Sequence, residues 1–170
     1  MKNKIIFGII LIIVFLAFIS CANKNANISG DTSRQTGGSS GNNVITFEAQ
    51  YIRIGSGLGQ RTPVCAVISS LNELNQYTNS LRSSSFWETE YLNTISKYTN
   101  NYFSNNFLVI IFLQENSGSN RHRVDKIDFN GDIIIERLVP EIGTSDMATW
   151  NIIIELNNNF KSDKYQILMK

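Results

Sequence analysis

The sequence predicts an α+β domain, mainly an antiparallel sheet with one or two helices packed against it, and three observations lead to this class. Residues 44–54 alternate apolar and polar side chains with period two, which indicates a half-buried strand. Asn130-Gly131 separates two strand-like segments and favours a tight hairpin turn with positive φ angles. Five apolar side chains recur at steps of three and four, as on one face of a helix: Trp87, Tyr91, Ile95, Tyr98 and Tyr102.

Two helices are expected from the Ser-x-x-Glu spacing of a capping box. At residues 70–73 this spacing begins a short helix that we expect to end near Tyr77. At residues 85–88 it begins the helix that carries the apolar face. We expect the Asn pair at 100–101 to interrupt this second helix and to leave a last turn around residues 102–103.

The other apolar segments predict strands. The segment 107–113 is apolar throughout, so we expect a central strand that is covered on both faces. Shorter or alternating segments predict further strands at residues 64–68, 122–129, 132–139, 148–156 and 165–169.

The amino-terminal segment is typical of a bacterial lipoprotein signal peptide. Lys2 and Lys4 precede an uncharged apolar run over residues 5–19, and Ser20 then places a small side chain directly before Cys21. We therefore expect residues 1–20 to be removed and Cys21 to carry lipid, whose acyl chains anchor the protein to a bilayer outside the cytoplasm. The alternative is an uncleaved signal anchor, and the sequence leaves the cell membrane and the outer membrane open as locations.

Residues 22–43 are rich in Asn, Gly and Ser, with Ile28 as the only sizeable apolar side chain. This composition does not offset the entropy lost on ordering, so the segment from Cys21 to residue 43 is predicted to be a lipidated, flexible tether. The folded domain is then expected over residues 44–170.

The charge balance argues against nucleic acid as a partner. Removal of residues 1–20 takes away two of the 15 basic side chains and none of the 14 acidic ones, so the net charge becomes about −1. A neutral domain has no electrostatic basis for binding a phosphate backbone.

Patterns for catalysis and cofactor binding are weak. His122, the only histidine, lies between Arg121 and Arg123, whose charges disfavour the imidazolium that a general base must form. The glycine run at residues 55–59 is followed by Pro63, which blocks the helix that a phosphate site needs. We therefore predict no catalytic residues, no metal ligands and no cofactor.

The remaining reactive or aromatic side chains are assigned to the core. Cys65 is unpaired once Cys21 carries lipid, and it is expected to be an inert thiol buried in an apolar strand. Trp87 and Trp150 lie on faces that are already apolar, so both are predicted to pack inside the domain.

An unusual series of polar motifs fills residues 118–150. Arg121-His122-Arg123 lies in the first hairpin strand, and the segment Pro140-Glu141-Ile142-Gly143-Thr144-Ser145-Asp146-Met147-Ala148 follows the second. Together with the strand at 107–113, these motifs resemble the C-terminal domain of PrcB-type lipoproteins, over about residues 68–170. The resemblance implies a non-enzymatic, lipid-anchored accessory subunit that associates with an extracellular subtilisin-like protease.

Two interpretations of this segment stay open. In the first, Asp146 caps loop amides while Arg121 and Arg123 reach loop carbonyls or Glu141, so that a polar network fixes a loop. In the second, Arg121, Arg123, Glu141 and Asp146 form a docking surface for a partner protein. The alternative function is an envelope lipoprotein that binds a small molecule, peptide or glycan, followed by a structural lipoprotein and an unrecognised enzyme.

Overall fold

The computed structural model describes residues 32–37, 45–55, 62–81 and 85–170. Within these ranges the chain forms β1 (Thr32–Gly37), β2 (Phe47–Gly55), β3 (Val64–Ile68), α1 (Leu71–Ser80), α2 (Ser85–Ile95), α3 (Asn100–Phe103), β4 (Asn106–Glu115), β5 (Arg121–Ile127), β6 (Asp132–Leu138), β7 (Ala148–Asn157), a 3-10 turn (Asn158–Phe160) and β8 (Gln166–Met169). The predicted α+β class with mainly antiparallel strands is confirmed.

The strands form two sheets. The larger has the order β1-β2-β7-β4-β3, and every neighbouring pair in it is antiparallel. The smaller has the order β5-β6-β8, with an antiparallel β5–β6 pair and a parallel β6–β8 pair. Strands β4 and β7 are interior to the larger sheet, as expected for the wholly apolar segment in β4.

The two sheets enclose the main core. Alternate side chains of β4 and β7, such as Val109 and Ile152, pack with Val124, Ile133 and Ile135 of the small sheet, and all are fully buried. The period-two alternation of strands explains this arrangement, because each face of a strand receives every second side chain.

The helices cover the opposite face of the larger sheet. Leu108 and Ile153 point into a second core there, together with Leu74 of α1, Tyr91 of α2 and Tyr98. Ser70 begins α1 by accepting a hydrogen bond from the Glu73 amide at 3.1 Å, which confirms the predicted helix start. The Glu73 carboxylate reaches back to the amide of Ser69, at 2.6 Å, one residue before the cap. The domain therefore has three layers: helices, a five-stranded sheet and a three-stranded sheet.

Six residues of the predicted tether form strand β1, which pairs with β2 from Thr32 opposite Ile52 to Gly37 opposite Phe47. Gln35 Nε2 also donates to the carbonyl of Val124 at 2.7 Å. The flexible-tether prediction is wrong for this stretch, because hydrogen bonds to a neighbouring strand order a segment with few apolar side chains. The rest of the tether, the signal peptide and Cys21 lie outside the described residues.

The second predicted helix is broken earlier than expected. Helix α2 ends at Ile95, and Thr99 then caps α3 by accepting a hydrogen bond from the Tyr102 amide at 3.4 Å. The Asn pair at 100–101 therefore begins α3 and does not interrupt a helix. The periodicity still predicted burial correctly for Ile95 and for Tyr98, which packs on the sheet from the connecting segment.

The β5–β6 hairpin is confirmed, but its turn is longer than predicted. Gly131 has a φ of 88°, whereas the φ of Asn130 is negative. The Asp128 carboxylate accepts from the amides of Asn130 and Asp132 at 2.9 and 3.0 Å. The expected two-residue turn is wrong because the Asp128 side chain closes a wider one.

Candidate functional site

A buried carboxylate lies at the end of β4, beside the small sheet. Glu115 is 4% exposed and accepts hydrogen bonds from three side chains. Arg137 Nη2 donates at 2.6 Å and Arg137 Nε at 2.9 Å, so the guanidinium engages both carboxylate oxygens. Asn120 Nδ2 donates to Glu115 Oε2, and His122 Nε2 forms a hydrogen bond with Glu115 Oε1, each at 2.8 Å. These bonds join β4, the β4–β5 loop (residues 116–120), β5 and β6.

The charge on Glu115 is well stabilised. Burial raises the pKa of this carboxyl, but the hydrogen bonds from His122, Arg137 and Asn120 outweigh burial and lower its pKa to about 2. The same contact raises the pKa of Arg137. Glu115 is therefore ionised at neutral pH, and it fixes Arg137 in one orientation.

His122 is built into this network. Its side chain is fully buried, its ring meets the Trp150 ring edge-on with centroids 5.9 Å apart, and its Nδ1 has no hydrogen-bond partner in the described part of the chain. In the sequence His122 is flanked by two arginines, whereas in the folded chain the group that contacts its Nε2 is Glu115. Tertiary packing thus gives His122 the role of a buried donor to a carboxylate.

Arg121 is held above the same tryptophan. Its guanidinium carbon lies 5.1 Å from the centre of the Trp150 ring. Arg121 Nη1 donates to the carbonyls of Gly118 and Asn120, at 2.7 and 3.1 Å. These hydrogen bonds use the Nη1 donors of the guanidinium and hold it against the β4–β5 loop.

The loop that joins β6 to β7, residues 139–147, is fastened to the β4–β5 loop. Thr144 N donates to the hydroxyls of Ser117 and Ser119 at 3.0 and 3.2 Å. The Gly118 amide donates to the carbonyl of Asp146 at 2.7 Å. A Cβ on Gly118 would overlap the Asp146 carboxylate, so a larger residue there would displace that side chain from its position beside Arg53.

Asp146 ties this loop to the large sheet as well. Its carboxylate is 2.5 Å from Arg53 Nη2 in β2. A hydrogen bond from Thr144 and the pairing with Arg53 lower the pKa of Asp146 to about 2. The β6–β7 loop is thus fixed at both the Thr144 and the Asp146 positions.

Apolar side chains on this fixed loop face solvent. Ile142 is 87% exposed and Val139 is 62% exposed, and Leu138 and Met147 on either side are also exposed. A cavity of about 570 Å³ opens between the two loops. Its lining combines polar and cationic residues with apolar ones: Ser119, Arg121, Arg137, Leu138, Val139, Pro140 and Ile142.

Only two of the four predicted docking residues lie close to each other in the structure. Arg121 and Asp146 converge on Gly118, so the structure brings these two to the same pair of loops. Arg123 forms an ion pair with Glu136 across the hairpin. Glu141 is exposed on the β6–β7 loop and has no hydrogen bond or ion pair with the described residues. Their role in docking stays a prediction.

Arg121 reaches carbonyls of the β4–β5 loop, and the expectation that it contacts the β6–β7 loop or Glu141 is not what the structure shows. Arg123 likewise meets Glu136 instead, because it lies directly opposite that residue in the hairpin register. Asp146 does fasten a loop, through Thr144 and its own backbone, as the first interpretation expected.

Four members of the site were not predicted from the sequence: Arg53, Glu115, Asn120 and Arg137. Glu115 is the last residue of β4, whose odd-numbered side chains face the core between the two sheets. Because side chains alternate along a strand, the Glu115 carboxylate must face the same core. That alternation was a signal for a buried charge that needs partners. No comparable signal pointed to Arg137 or Arg53, because their partner carboxylates are 22 and 93 residues away along the chain.

A second buried polar cluster lies on the helix side of the large sheet. Glu155 Oε1 accepts from Gln50 at 2.9 Å, from Tyr98 at 3.0 Å and from Lys97 at 2.6 Å. Burial, together with the nearby Glu155 charge, raises the pKa of Tyr98. This cluster joins β2, β7 and the segment between α2 and α3.

The other predictions about reactive groups are partly tested. Trp150 is 2% exposed and in the core as expected, while the Trp87 side chain lies outside the described residues. Cys65 is half-buried, and burial raises the pKa of its thiol. In the described ranges no cluster of three or more metal-ligating side chains occurs, and no helix there is long and apolar enough to cross a membrane.

Comparison of this chain with protein-family models, with curated proteins and with solved structures finds no match. The resemblance to PrcB-type subunits therefore remains a prediction that depends on the motifs at residues 118–150.

Proposed function

We propose that this protein is a non-catalytic, lipid-anchored accessory subunit that docks on an extracellular partner protein through the β6–β7 loop. The observation that carries the proposal is the exposure of Ile142, at 87%, on a loop whose backbone is fastened at Thr144 and Asp146. Exposed apolar side chains on a fixed loop are costly to leave in water and are typical anchors of protein interfaces.

The partner class comes from the resemblance, which implies an extracellular subtilisin-like protease. Lipid on Cys21 would hold the domain at a bilayer and keep the loop available to a secreted or surface-bound chain. The charge balance gives no support for a nucleic-acid partner.

Immunoprecipitation of the full chain from gently solubilised membranes, followed by mass spectrometry, tests this proposal. We expect a stoichiometric extracellular partner, and we expect Ile142→Asp to reduce its recovery at least about tenfold. Leu92→Asp is the matched control, because Leu92 is 42% exposed but lies on the helix layer. Recovery without any partner, or equal recovery with both variants, would contradict docking through the loop.

A second candidate is an envelope lipoprotein that binds a small ligand. A cavity of about 600 Å³ lies between Pro63, Gln114, Asn116 and Met147, and Gln114 Oε1 is buried there without a partner among the described residues. A ligand that fits should raise the melting temperature of the full chain by mass action. A broad library of metabolites and glycans that leaves the melting temperature unchanged would argue against this function.

A further inference from the structure

The cavity between the β4–β5 and β6–β7 loops combines two kinds of surface. One wall is aliphatic and solvent-accessible, formed by Leu138, Val139 and Ile142. Arg121 and Arg137 also line the cavity and supply its positive charge. A ligand that is complementary to both kinds of surface must have an apolar body and an anionic group.

Both guanidinium groups are held in place before any ligand binds. Arg137 is fixed by two-point contact with the buried Glu115 carboxylate. Arg121 is fixed by the carbonyls of Gly118 and Asn120 and by the ring of Trp150. Fixed donors lose little conformational entropy on binding, which favours recognition of one particular group.

The charge of the cavity is unbalanced by one positive unit. Glu115 neutralises Arg137, while none of the described carboxylates forms an ion pair with Arg121. Arg137 Nη1 and Arg121 Nη2 have no hydrogen-bond acceptor among the described residues. Glu141 belongs to the same loop but does not line the cavity. One carboxylate would therefore complete the charge and accept from the free donors.

We propose that this cavity binds the free C-terminal carboxylate of a polypeptide that ends in aliphatic side chains. A single carboxylate matches the one unbalanced positive charge, and aliphatic terminal side chains match the wall that Val139 and Ile142 form. This inference rests on the proposed docking function and names the part of the partner that the β6–β7 loop holds.

Isothermal titration of the full chain in detergent micelles tests the inference. The probe is a short N-acetylated peptide ending in Val-Leu-Leu, prepared once as the free acid and once as the C-terminal amide. We expect saturable binding of the free acid and at least about tenfold weaker binding of the amide, because the amide lacks the charge. Equal affinity for the two peptides, or binding of neither, overturns the proposal without any variant being needed.

Two arginine variants locate the site. Arg121→Gln should weaken binding of the free acid about tenfold, while Arg123→Gln should leave it unchanged, since Arg123 pairs with Glu136 and does not line the cavity. Equal effects of the two variants overturn the assignment to this cavity. Decanoate binding as tightly as the peptide overturns the choice of a polypeptide end.

The failure of this inference can be told apart from the failure of the docking function. Loss of the partner in Ile142→Asp together with equal binding of the acid and amide peptides would keep docking and reject the carboxylate. A partner-free immunoprecipitate with selective binding of the acid peptide would reject the accessory subunit and leave a peptide-binding lipoprotein.

Discussion

Glu115 and Glu155 lie on neighbouring strands and are each held by three side chains, yet they differ in position and surroundings. Glu115 faces the small sheet and is 4% exposed, with donors on Asn120, His122 and Arg137. Glu155 faces the helices and its side chain is 15% exposed, with donors on Gln50, Lys97 and Tyr98. The two clusters use the same chemistry on opposite faces of one sheet.

The difference shows which cluster can support a binding surface. The donors to Glu115 come from β5, β6 and the β4–β5 loop, so its charge fixes the wall of a cavity with exposed apolar side chains. The donors to Glu155 tie the segment after α2 to the sheet. We infer that the Glu115 cluster serves both stability and binding, and that the Glu155 cluster serves stability.

The largest effect on stability is expected for Glu115→Gln. Removing this charge leaves Arg137 without its anionic partner next to a buried imidazole, which should cost about 3 kcal/mol of unfolding free energy. Glu155→Gln is the matched control, with an expected cost of about 1 kcal/mol, because the Glu155 side chain is 15% exposed and that of Glu115 only 4%, so water screens the Glu155 charge more. Urea denaturation of the two variants measures both values, and equal costs would remove the distinction between the clusters.

The pH dependence of stability should differ between the parent and Glu115→Gln. The folded pKa of Glu115 is about 2, below its ordinary value of 4.5, so the unfolded chain takes up the proton first as pH falls. The stabilisation is complete above about pH 5 and is lost as pH falls through about 2. Unfolding free energies measured across this window should therefore converge for the two proteins at the acid end. A constant difference would show that the carboxylate charge is not the cause.

The smallest effect is expected for Tyr98→Phe. The lost hydroxyl accepts from Gln50 at 2.7 Å and donates to Glu155, but Gln50 also bonds Glu155 directly, so the cost should be about 0.5 kcal/mol. A double-mutant cycle with Glu155→Gln measures the coupling between these groups. A coupling near zero would mean that Tyr98 is held by packing alone and that Glu155 is not the centre of a network.

Much of the fold could be predicted because its signals are local. The strands β3, β4, β6 and β7 follow from runs of apolar or alternating side chains, and α1 follows from the Ser70–Glu73 capping box. Strand β1 could not be predicted in this way, because its stability comes from pairing with β2 and from Gln35 bonding to β5. A polar segment of this kind gives no local sign of its partner.

The candidate site was predictable only in part. Arg121 and Asp146 were selected from their motif, and the structure brings both to Gly118. The exposed Ile142 lies in the same motif, but a sequence does not show whether an apolar side chain in a loop points inward or outward. Arg137 could not be predicted, because its partner Glu115 lies 22 residues away along the chain.

The sequence by itself determined the class of fold, most of the strands, the start of the first helix and the expectation of a lipidated Cys21. These depend on periodicity and on short motifs, in which the interacting groups lie within a few residues of one another. The tertiary structure decided that two sheets enclose the core, that Glu115 collects donors from three separate segments, and that an apolar loop is fixed beside two oriented guanidinium groups. Such features arise from contacts between residues far apart in the chain, and only the folded arrangement of strands places their side chains within hydrogen-bonding distance.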